Sequence, residues 1–224
     1  MKDPTRIAPL IALIQEAWEA QPDLAFSELW GIVENRGIGW GATDEQLAQI
    51  LREILRERPV AVGEKPVLVH TTGPEYAVSI HPEEGAVVVR HPQRERQPAW
   101  WSFNEVVQGR VGAPLVLRDK EDITHRLGVI SGIEAIAPRP GDLSGMRRRQ
   151  LGDALYACRL EDGALVLISH SIEVYSKERR SVAHSTLRWE KIEAGALGTG
   201  LVVRLRDGGE LKELGRITAL LVLR

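Results

Sequence analysis

The sequence has almost no cysteine, which excludes the simplest covalent way of stabilising a small fold. Cys158 is the only cysteine among the 224 residues, so no disulfide can form within the chain. Its neighbours Ala157 and Arg159 lie on a predicted strand, where a lone cysteine acts as a small apolar side chain. A zinc site also has little support, because neither His-x-x-His nor His-Glu-x-x-His occurs.

Long apolar runs are missing as well. No stretch approaches the roughly 18 to 20 apolar residues of a membrane-spanning helix. The start, Met1–Pro4, carries an acidic residue where a secretory signal would be basic. We therefore expect a cytoplasmic protein with no transmembrane segment.

Neither sign of charge dominates the chain, but the balance is uneven. The formal net charge is −2. Residues 1–70 contain 7 basic and 11 acidic side chains, a balance of −4, whereas the remainder has 22 basic and 20 acidic side chains, a balance of +2. The acidic N-terminal part is therefore poorly suited to binding phosphate groups.

Sequence signatures of common enzymes are absent. The chain has no glycine-rich phosphate loop ending in Lys and Ser or Thr, and no Gly-x-Ser-x-Gly motif. Gly195, Gly198 and Gly200 lie between predicted strands and do not open a helix, so they do not predict a nucleotide site. We expect no catalytic residue, no cofactor and no metal, and hence no enzymatic activity.

The first 58 residues are predicted to form three helices. Apolar residues recur at helical spacing in Pro4–Ala20 and in Ala25–Asn35. Thr43 and Gln46 have the spacing of a capping box, which starts a third helix that stops before Pro59. The expected core of this small domain consists of Trp18, Phe26, Leu29, Leu47 and Leu51.

Part of this region resembles a known family. The string Leu10–Trp18, followed by Gln21–Leu24 and Leu29, resembles the YihD-type family of small bacterial helical proteins. Thr43-Asp44-Glu45 is similar to that family's Asp-rich start of a third helix. The resemblance covers about the first 58 residues and implies a helical fold, with no catalytic or ligand-binding residue.

From Tyr76 onward the pattern changes to short strands separated by turns, and it occurs twice. A repeat of this kind predicts two copies of one fold in which matching residues occupy equivalent places. We therefore expect Phe103 and Trp189 to be buried, and Asp119 and Asp207 to lie in or beside turns. The matched pairs are Tyr76 with Tyr156, Gly85 with Gly163, Phe103 with Trp189, and Leu117-Arg118-Asp119 with Leu205-Arg206-Asp207.

These patterns predict an α+β protein with a three-helix N-terminal domain, followed by two related antiparallel β-rich modules of the small barrel or split-barrel type. Turn signals and prolines mark the connections between the domains. The expected boundaries are a helical domain at 1–58, a linker at 59–73, the first β-rich copy at 74–137, a linker at 138–150, and the second copy at 151–224.

The second copy invites a comparison with another family. A strand ending at Ile168, a hairpin around Lys177–Arg180, the segment Leu187–Ile192 and the strand Leu201–Leu205 follow in that order. This order is similar to that of bacterial pleckstrin-homology-like domains. The resemblance implies an antiparallel split barrel that serves mainly as a platform for partners or lipids.

Clustered basic side chains and two adjacent tryptophans are candidates for partner binding. Basic side chains beside aromatic ones can bind nucleic acid through phosphate contacts and stacking, or dock on anionic lipid. A charge run is also typical of a solvated loop, and the near-neutral balance of this half favours that simpler interpretation. The candidates are Trp100, Trp101, Arg147, Arg148, Arg149, Lys177, Arg179 and Arg180.

Two acidic groupings could support chemistry. Asp122 and His125 form the closest acid–imidazole pair in the sequence and could orient a nucleophile. Asp207, Glu210 and Lys212 have the acid-x-lysine arrangement of metal-dependent nucleases. For both groupings we favour the simpler interpretation, a capped turn in the first case and the polar face of a strand in the second.

The resulting functional hypothesis is a non-enzymatic binding or adaptor protein of the bacterial cytoplasm that acts through protein–protein contacts. One alternative is a nucleic-acid-binding regulator with a helix-turn-helix-like N-terminal domain, and another is a metal-dependent hydrolase or nuclease. Trp18 tests the hypothesis, because a buried tryptophan would stabilise the helical core, whereas an exposed one would be a candidate partner contact.

Overall fold

The computed structural model describes residues 3–93, 95–177 and 182–224. The predicted α+β class is confirmed: three helices precede two antiparallel β-rich regions. The chain divides into two compact units. One comprises Met1–Pro92 and Trp100–Ala135, and the other comprises Gln93–Ala99 and Ile136–Arg224.

The helices lie where the apolar periodicity predicts them. A 3-10 turn leads into the first helix, and the Thr43 cap that starts the third helix is present, with Gln46 N–H donating to Thr43 Oγ1 at 3.3 Å. None of the described helices is long and apolar enough to cross a membrane. The bounds are α1 Ile7–Glu19, α2 Phe26–Asn35 and α3 Asp44–Glu57.

The helical core is narrower than expected. Leu29 and Leu51 are buried as predicted, but Trp18 and Phe26 are 41% and 43% exposed. The side of α1 that packs against the core is formed by residues with smaller side chains, including Leu10, Leu13, Ile14 and Ala17. Trp18 falls just outside this stripe, so the prediction that it is a core residue is wrong.

Six strands of the first unit form a closed barrel in which each strand pairs with its neighbour along the chain and the last pairs with the first. Part of the stretch 59–73 predicted as a linker is the first of these strands, and it contributes Val67 and Val69 to the barrel core. The strands are β1 Val67–Thr72, β2 Tyr76–His81, β3 Ala86–Arg90, β4 Ala99–Gln108, β5 Pro114–Asp119 and β6 Thr124–Ala135.

The helices and this barrel are joined by ion pairs. Arg58 Nη1 lies 3.2 Å from Glu134 Oε1, and Arg110 Nη2 lies 2.6 Å from Glu19 Oε2. Both pairs link the helical region to the barrel within one unit.

The second unit contains a seven-stranded antiparallel sheet in the order β10-β9-β8-β7-β13-β12-β11. Its two edge strands follow each other along the chain with only Arg188 between them. The apolar segment Ile217–Leu223 is mostly the end of the last strand. The strands are β7 Tyr156–Leu160, β8 Leu165–Ile168, β9 Ile172–Lys177, β10 Val182–Leu187, β11 Trp189–Ala194, β12 Gly200–Leu205 and β13 Leu211–Val222.

The second halves of the two β-rich regions have the same pairing register. Val106 lies opposite Leu117 on β4 and β5, and Ile192 lies opposite Val203 on β11 and β12, 86 residues further along the chain. Phe103 and Trp189 are both buried, as the repeat predicts. Gly112 and Gly198 repeat the same contact: their N–H groups donate to the carbonyls of Ile130 and Ile217, each at 2.8 Å.

The alignment of the first halves needs correction. Thr71 on β1 lies opposite Ile130, and Leu160 on β7 lies opposite Ile217, so β7 is the counterpart of β1 and not of β2. Tyr76 therefore corresponds to Ala164 and not to Tyr156. The repeat starts earlier than predicted, because its first strand lies in the proline-containing stretch that the sequence marks as a linker.

A second correction concerns the aspartates. Both lie in or beside turns as expected, but Asp119 pairs with Phe103 and its counterpart opposite Trp189 is Leu205, not Asp207. Similar Asp-containing turns recur within each copy, and matching them by sequence shifts the alignment by two residues. The pairing registers of the two regions match, and this match is visible only from strand pairing.

Candidate functional site

A cleft of about 470 Å3 opens on the second unit and is lined mainly by polar and charged side chains. Its charged and imidazole groups come from separate segments of that unit. They are Glu95, Arg148, His170, Glu173, His184, Arg188 and Arg206.

The hairpin of β9 and β10 builds the base of the cleft. Glu173 lies opposite Thr186, and Tyr175 lies opposite His184. Because side chains alternate along a strand, these four residues share one face of the hairpin. Two polar pairs are thereby brought together from positions about ten residues apart.

Glu173 is the centre of a hydrogen-bond network. Its Oε1 accepts from Ser171 Oγ at 2.8 Å, and its Oε2 accepts from Thr186 Oγ1 at 2.6 Å and lies 2.7 Å from His184 Nε2. Burial raises the pKa of Glu173, but the hydrogen bonds from Thr186, Ser171 and His184 together lower it by more. The pKa therefore falls below its ordinary value. Glu173 is therefore a carboxylate at neutral pH.

The ionised glutamate orients His184. A carboxylate can only accept, so His184 Nε2 carries the shared hydrogen and donates it to Glu173. The imidazole is stacked on the buried ring of Tyr175, with ring centroids 4.7 Å apart and planes 13° apart. The contacts with Glu173 and Tyr175 thus fix the orientation of the imidazole ring, and neither of them is a hydrogen bond to Nδ1.

Three arginines line the cleft. Arg148 Nη1 donates to the His170 carbonyl at 3.5 Å, and the Arg206 N–H donates to the Arg188 carbonyl at 2.9 Å. Within residues 3–93, 95–177 and 182–224, no carboxylate oxygen lies within 4.0 Å of these three guanidinium groups. Their positive charges are therefore not neutralised by ion pairs inside the described chain.

The structure separates the arginine run predicted to bind a partner. Arg148 is half-buried and lines the cleft, whereas Arg147 and Arg149 are exposed and do not. Lys177 is exposed at the end of β9. The other two basic candidates, Arg179 and Arg180, lie outside the described residues.

The candidate partner-binding residues Trp100 and Trp101 are neighbours on β4. Trp101 packs against the barrel core, with its ring 4.3 Å from that of His125. Trp100 lies on the opposite face of β4, but both tryptophans are half-buried. As alternation along a strand requires, one of the two side chains faces away from the barrel core, but neither indole is fully exposed.

The acid–imidazole pair considered for Asp122 and His125 does not form. His125 Nε2 lies 2.7 Å from Asp119 Oδ2 instead, and this hydrogen bond lowers the pKa of Asp119. Asp122 is exposed at a left-handed backbone position with φ of 65°, and its carboxylate lies 3.4 Å from Arg118. The hydrogen bond between His125 and Asp119 thus stabilises the turn between β5 and β6.

The acidic grouping considered for metal-dependent hydrolysis does not form an enclosed site either. Asp207, Glu210 and Lys212 are all exposed around the turn between β12 and β13. In the described part of the chain, no group of three or more His, Cys, Asp or Glu residues is arranged to hold a metal ion.

Cys158 agrees with the sequence-based interpretation. It is buried in the core of the second unit, and burial raises the pKa of its thiol to about 12. The thiol is therefore protonated and unreactive at neutral pH.

The helical region has an exposed aromatic patch, consisting of Trp18, Phe26 and Trp30. The ring of Phe26 lies 5.3 Å from that of Trp18 and 6.2 Å from that of Trp30. Trp18 Nε1 donates to the Leu24 carbonyl at 2.7 Å, and Trp30 Nε1 donates to Glu34 Oε1 at 3.1 Å. The indole nitrogens are thus satisfied while ring surface faces outward.

Sequence reasoning missed the cleft and found only Arg148 among its residues. Polar side chains at alternate positions, Ser171 with Glu173 and His184 with Thr186, are the signal that was present. A comparison of the chain with models of known protein families, with curated proteins and with solved structures finds no significant match.

Proposed function

We propose that the protein is a non-enzymatic binding or adaptor protein of the bacterial cytoplasm that acts through protein–protein contacts. The aromatic patch of Trp18, Phe26 and Trp30 carries this proposal. Trp18 and Phe26 are 41% and 43% exposed and pack against each other. Clustered aromatic rings at a surface are typical of partner-binding sites, where tryptophan contributes more binding energy than most residues.

The charge around the patch favours a particular kind of partner. Residues 1–70 have a net charge of −4, and the exposed acids Asp23, Glu28 and Glu34 lie on or beside the segments that carry the rings. Glu28 is engaged in capping α2, with its Oε2 accepting from the Ala25 N–H at 2.7 Å. A partner segment with apolar side chains flanked by Lys or Arg would complement both the rings and the acids.

The two β-rich regions support a platform role. One is a closed six-stranded barrel and the other a seven-stranded sheet, and both are antiparallel, which is compatible with the proposed likeness to pleckstrin-homology-like domains and their role as platforms. Their cores are apolar and well buried.

A nucleic-acid-binding role has less support. The third helix, which would enter the groove in a helix-turn-helix protein, begins with Asp44 and Glu45 and ends at Glu57. Arg36 is paired with Glu57 at 2.6 Å, and Arg6 is paired with Asp44. Arg36 and Arg6 are thus already paired with carboxylates.

The test compares capture of partners from the native cell by three versions of the tagged protein. Trp18→Ala combined with Phe26→Ala should abolish capture of a specific partner, and raising the salt concentration should weaken capture by the unaltered protein. Trp40→Ala is the matched control, since Trp40 is fully exposed but lies outside the patch. A partner retained equally by all three proteins would contradict the proposal.

A further inference from the structure

The cleft on the second unit has features that the proposed protein–protein function does not use. Arg148, Arg188 and Arg206 line it without an ion pair from any residue that the structure describes. Guanidinium groups gathered in a concavity repel one another unless an anion lies between them. Their planar forks match the oxygens of carboxylate and phosphate groups.

The acids of the cleft do not offset these charges fully. Glu173 already accepts or shares three hydrogen bonds, with Ser171, Thr186 and His184, so little of its accepting capacity is left for an arginine. Glu95 also lines the cleft but is exposed and lies beyond ion-pair distance of the three arginines. Among the residues that the structure describes, the lining is therefore positive, with three guanidinium groups against two carboxylates.

The three arginines come from two parts of the second unit. Arg188 and Arg206 are joined by a backbone hydrogen bond of 2.9 Å and are neighbours at the sheet edge. Arg148 belongs to a separate 3-10 turn, Arg148–Gln150, and its guanidinium contacts the carbonyl of His170. Three guanidinium groups are matched in charge better by a ligand with two or more anionic groups than by a single small monovalent ion.

The size and the other lining groups agree with an organic ligand. A volume of about 470 Å3 lies within the range of small-molecule sites and far exceeds what one inorganic ion fills. His184, held by Glu173 and Tyr175, lines the same cleft and adds a polar ring to the arginines. We infer that this cleft binds a small organic molecule with two or more oxyanion groups, one held by Arg188 and Arg206 and another by Arg148.

Calorimetric titration of the full-length protein tests the inference with defined probes. Citrate tests carboxylate recognition, 3-phosphoglycerate tests a phosphate together with a carboxylate, and acetate is the single-anion control. At least one of the first two should bind more tightly than about 1 mM, and acetate should not bind. Whichever probe binds identifies the oxyanion chemistry.

Arginine variants then locate the binding. Arg148→Ala and Arg206→Ala should each weaken binding about tenfold or more, because each removes a charge-assisted contact. Arg149→Ala is the matched control, since Arg149 is adjacent to Arg148 but exposed and outside the cleft. Circular dichroism and thermal melting show whether each variant is folded, and Arg148→Ala provides the result if Arg206→Ala is not.

Three outcomes would overturn the inference: neither probe binds, acetate binds as well as the others, or the variants bind as the unaltered protein does. These outcomes do not affect the proposal about the aromatic patch, which lies in the other unit. Loss of partner capture in the Trp18 and Phe26 variant would likewise leave the cleft unaffected.

Discussion

The two β-rich regions share a pairing register but differ at equivalent positions on one face. In the first, Ser79 on β2 lies opposite Val88 on β3, and in the second, Leu167 on β8 lies opposite Glu173 on β9. Val88 and Glu173 are therefore counterparts, and both are buried. The same scaffold position holds an apolar side chain in one copy and a charged network in the other.

The neighbouring strand shows the same contrast. Three residues before the buried Phe103 stands Trp100, and three residues before the buried Trp189 stands Thr186, which donates to Glu173. A buried carboxylate is stable only where several donors meet it. The comparison indicates that a polar site arises on this fold when Glu, Thr and His replace apolar residues together.

The largest effect on stability is expected in the cores that the copies share. Trp189→Ala and Phe103→Ala should each lower the free energy of unfolding by about 3 to 5 kcal/mol, because each leaves a large cavity. Trp189→Ala should cost more, since Trp189 is fully buried and its Nε1 also donates to the Ser169 carbonyl at 2.8 Å. Urea unfolding measures both, and a loss below about 1 kcal/mol in either variant would refute the equivalence of the two cores.

The next-largest difference in stability between the two copies is expected from alanine substitutions at two equivalent glycines. Gly128 and Gly215 both have positive φ, 93° and 129°. A Cβ at Gly128 would lie 2.7 Å from the backbone carbonyl oxygens of Thr72 and Pro74, whereas at Gly215 its nearest neighbour is Leu160 Cδ1 at 3.5 Å. Gly128→Ala should therefore cost more than about 2 kcal/mol and Gly215→Ala about 1 kcal/mol.

Thermal and urea unfolding of the two glycine variants check this order. Equal losses would mean that strain from positive φ, which both positions share, decides the cost and that the close approach in the first copy does not.

A smaller effect is expected from the polar network of the second copy. Glu173→Gln should cost about 1 to 3 kcal/mol at neutral pH, because it removes the charge that accepts from His184 and the two hydroxyls. The pKa of Glu173 is lower in the folded protein than its ordinary value of 4.5. Its stabilising contribution is therefore complete above that value and is lost as the pH falls through the lower folded pKa.

The difference in unfolding free energy between the unaltered protein and Glu173→Gln should consequently shrink between neutral pH and about pH 3. Val88→Ala in the first copy is the control, since a cavity has no titratable group and its cost should not follow this trend. A pH-independent difference for Glu173→Gln would show that the carboxylate charge is not stabilising.

The sequence predicts elements well where a pattern is local. The helices, the Thr43 cap and the strand Ala86–Arg90 follow from spacing between near neighbours. Features that depend on distant partners were not predictable. The first barrel strand, Val67–Thr72, looks like a linker until its pairing with β6 is known, and Glu173 looks like one surface acid among many until His184 and Thr186 approach it.

The burial of residues on a helix is only partly predictable from the sequence. Spacing alone places Trp18 on the apolar side of α1 and cannot show where the core ends. That limit depends on how closely α1 approaches α3, and the small side chain of the buried Ala17 is at the core side of α1. A bulky side chain one position further on is thereby left at the rim.

The smallest effect is expected for Trp18→Ala, an aromatic truncation outside the two β-rich regions that serves as the reference for Trp189→Ala. Trp18 is 41% exposed, so its loss removes contact with Phe26 and one hydrogen bond to Leu24 but opens no enclosed cavity. The free energy of unfolding should fall by about 1 kcal/mol, against about 3 to 5 kcal/mol for a buried tryptophan. Urea unfolding followed by the helical circular dichroism signal measures it. A loss as large as that of Trp189→Ala would place Trp18 in the core and remove the main support for a partner surface, whereas a small loss of stability with loss of partner capture would assign the ring to binding.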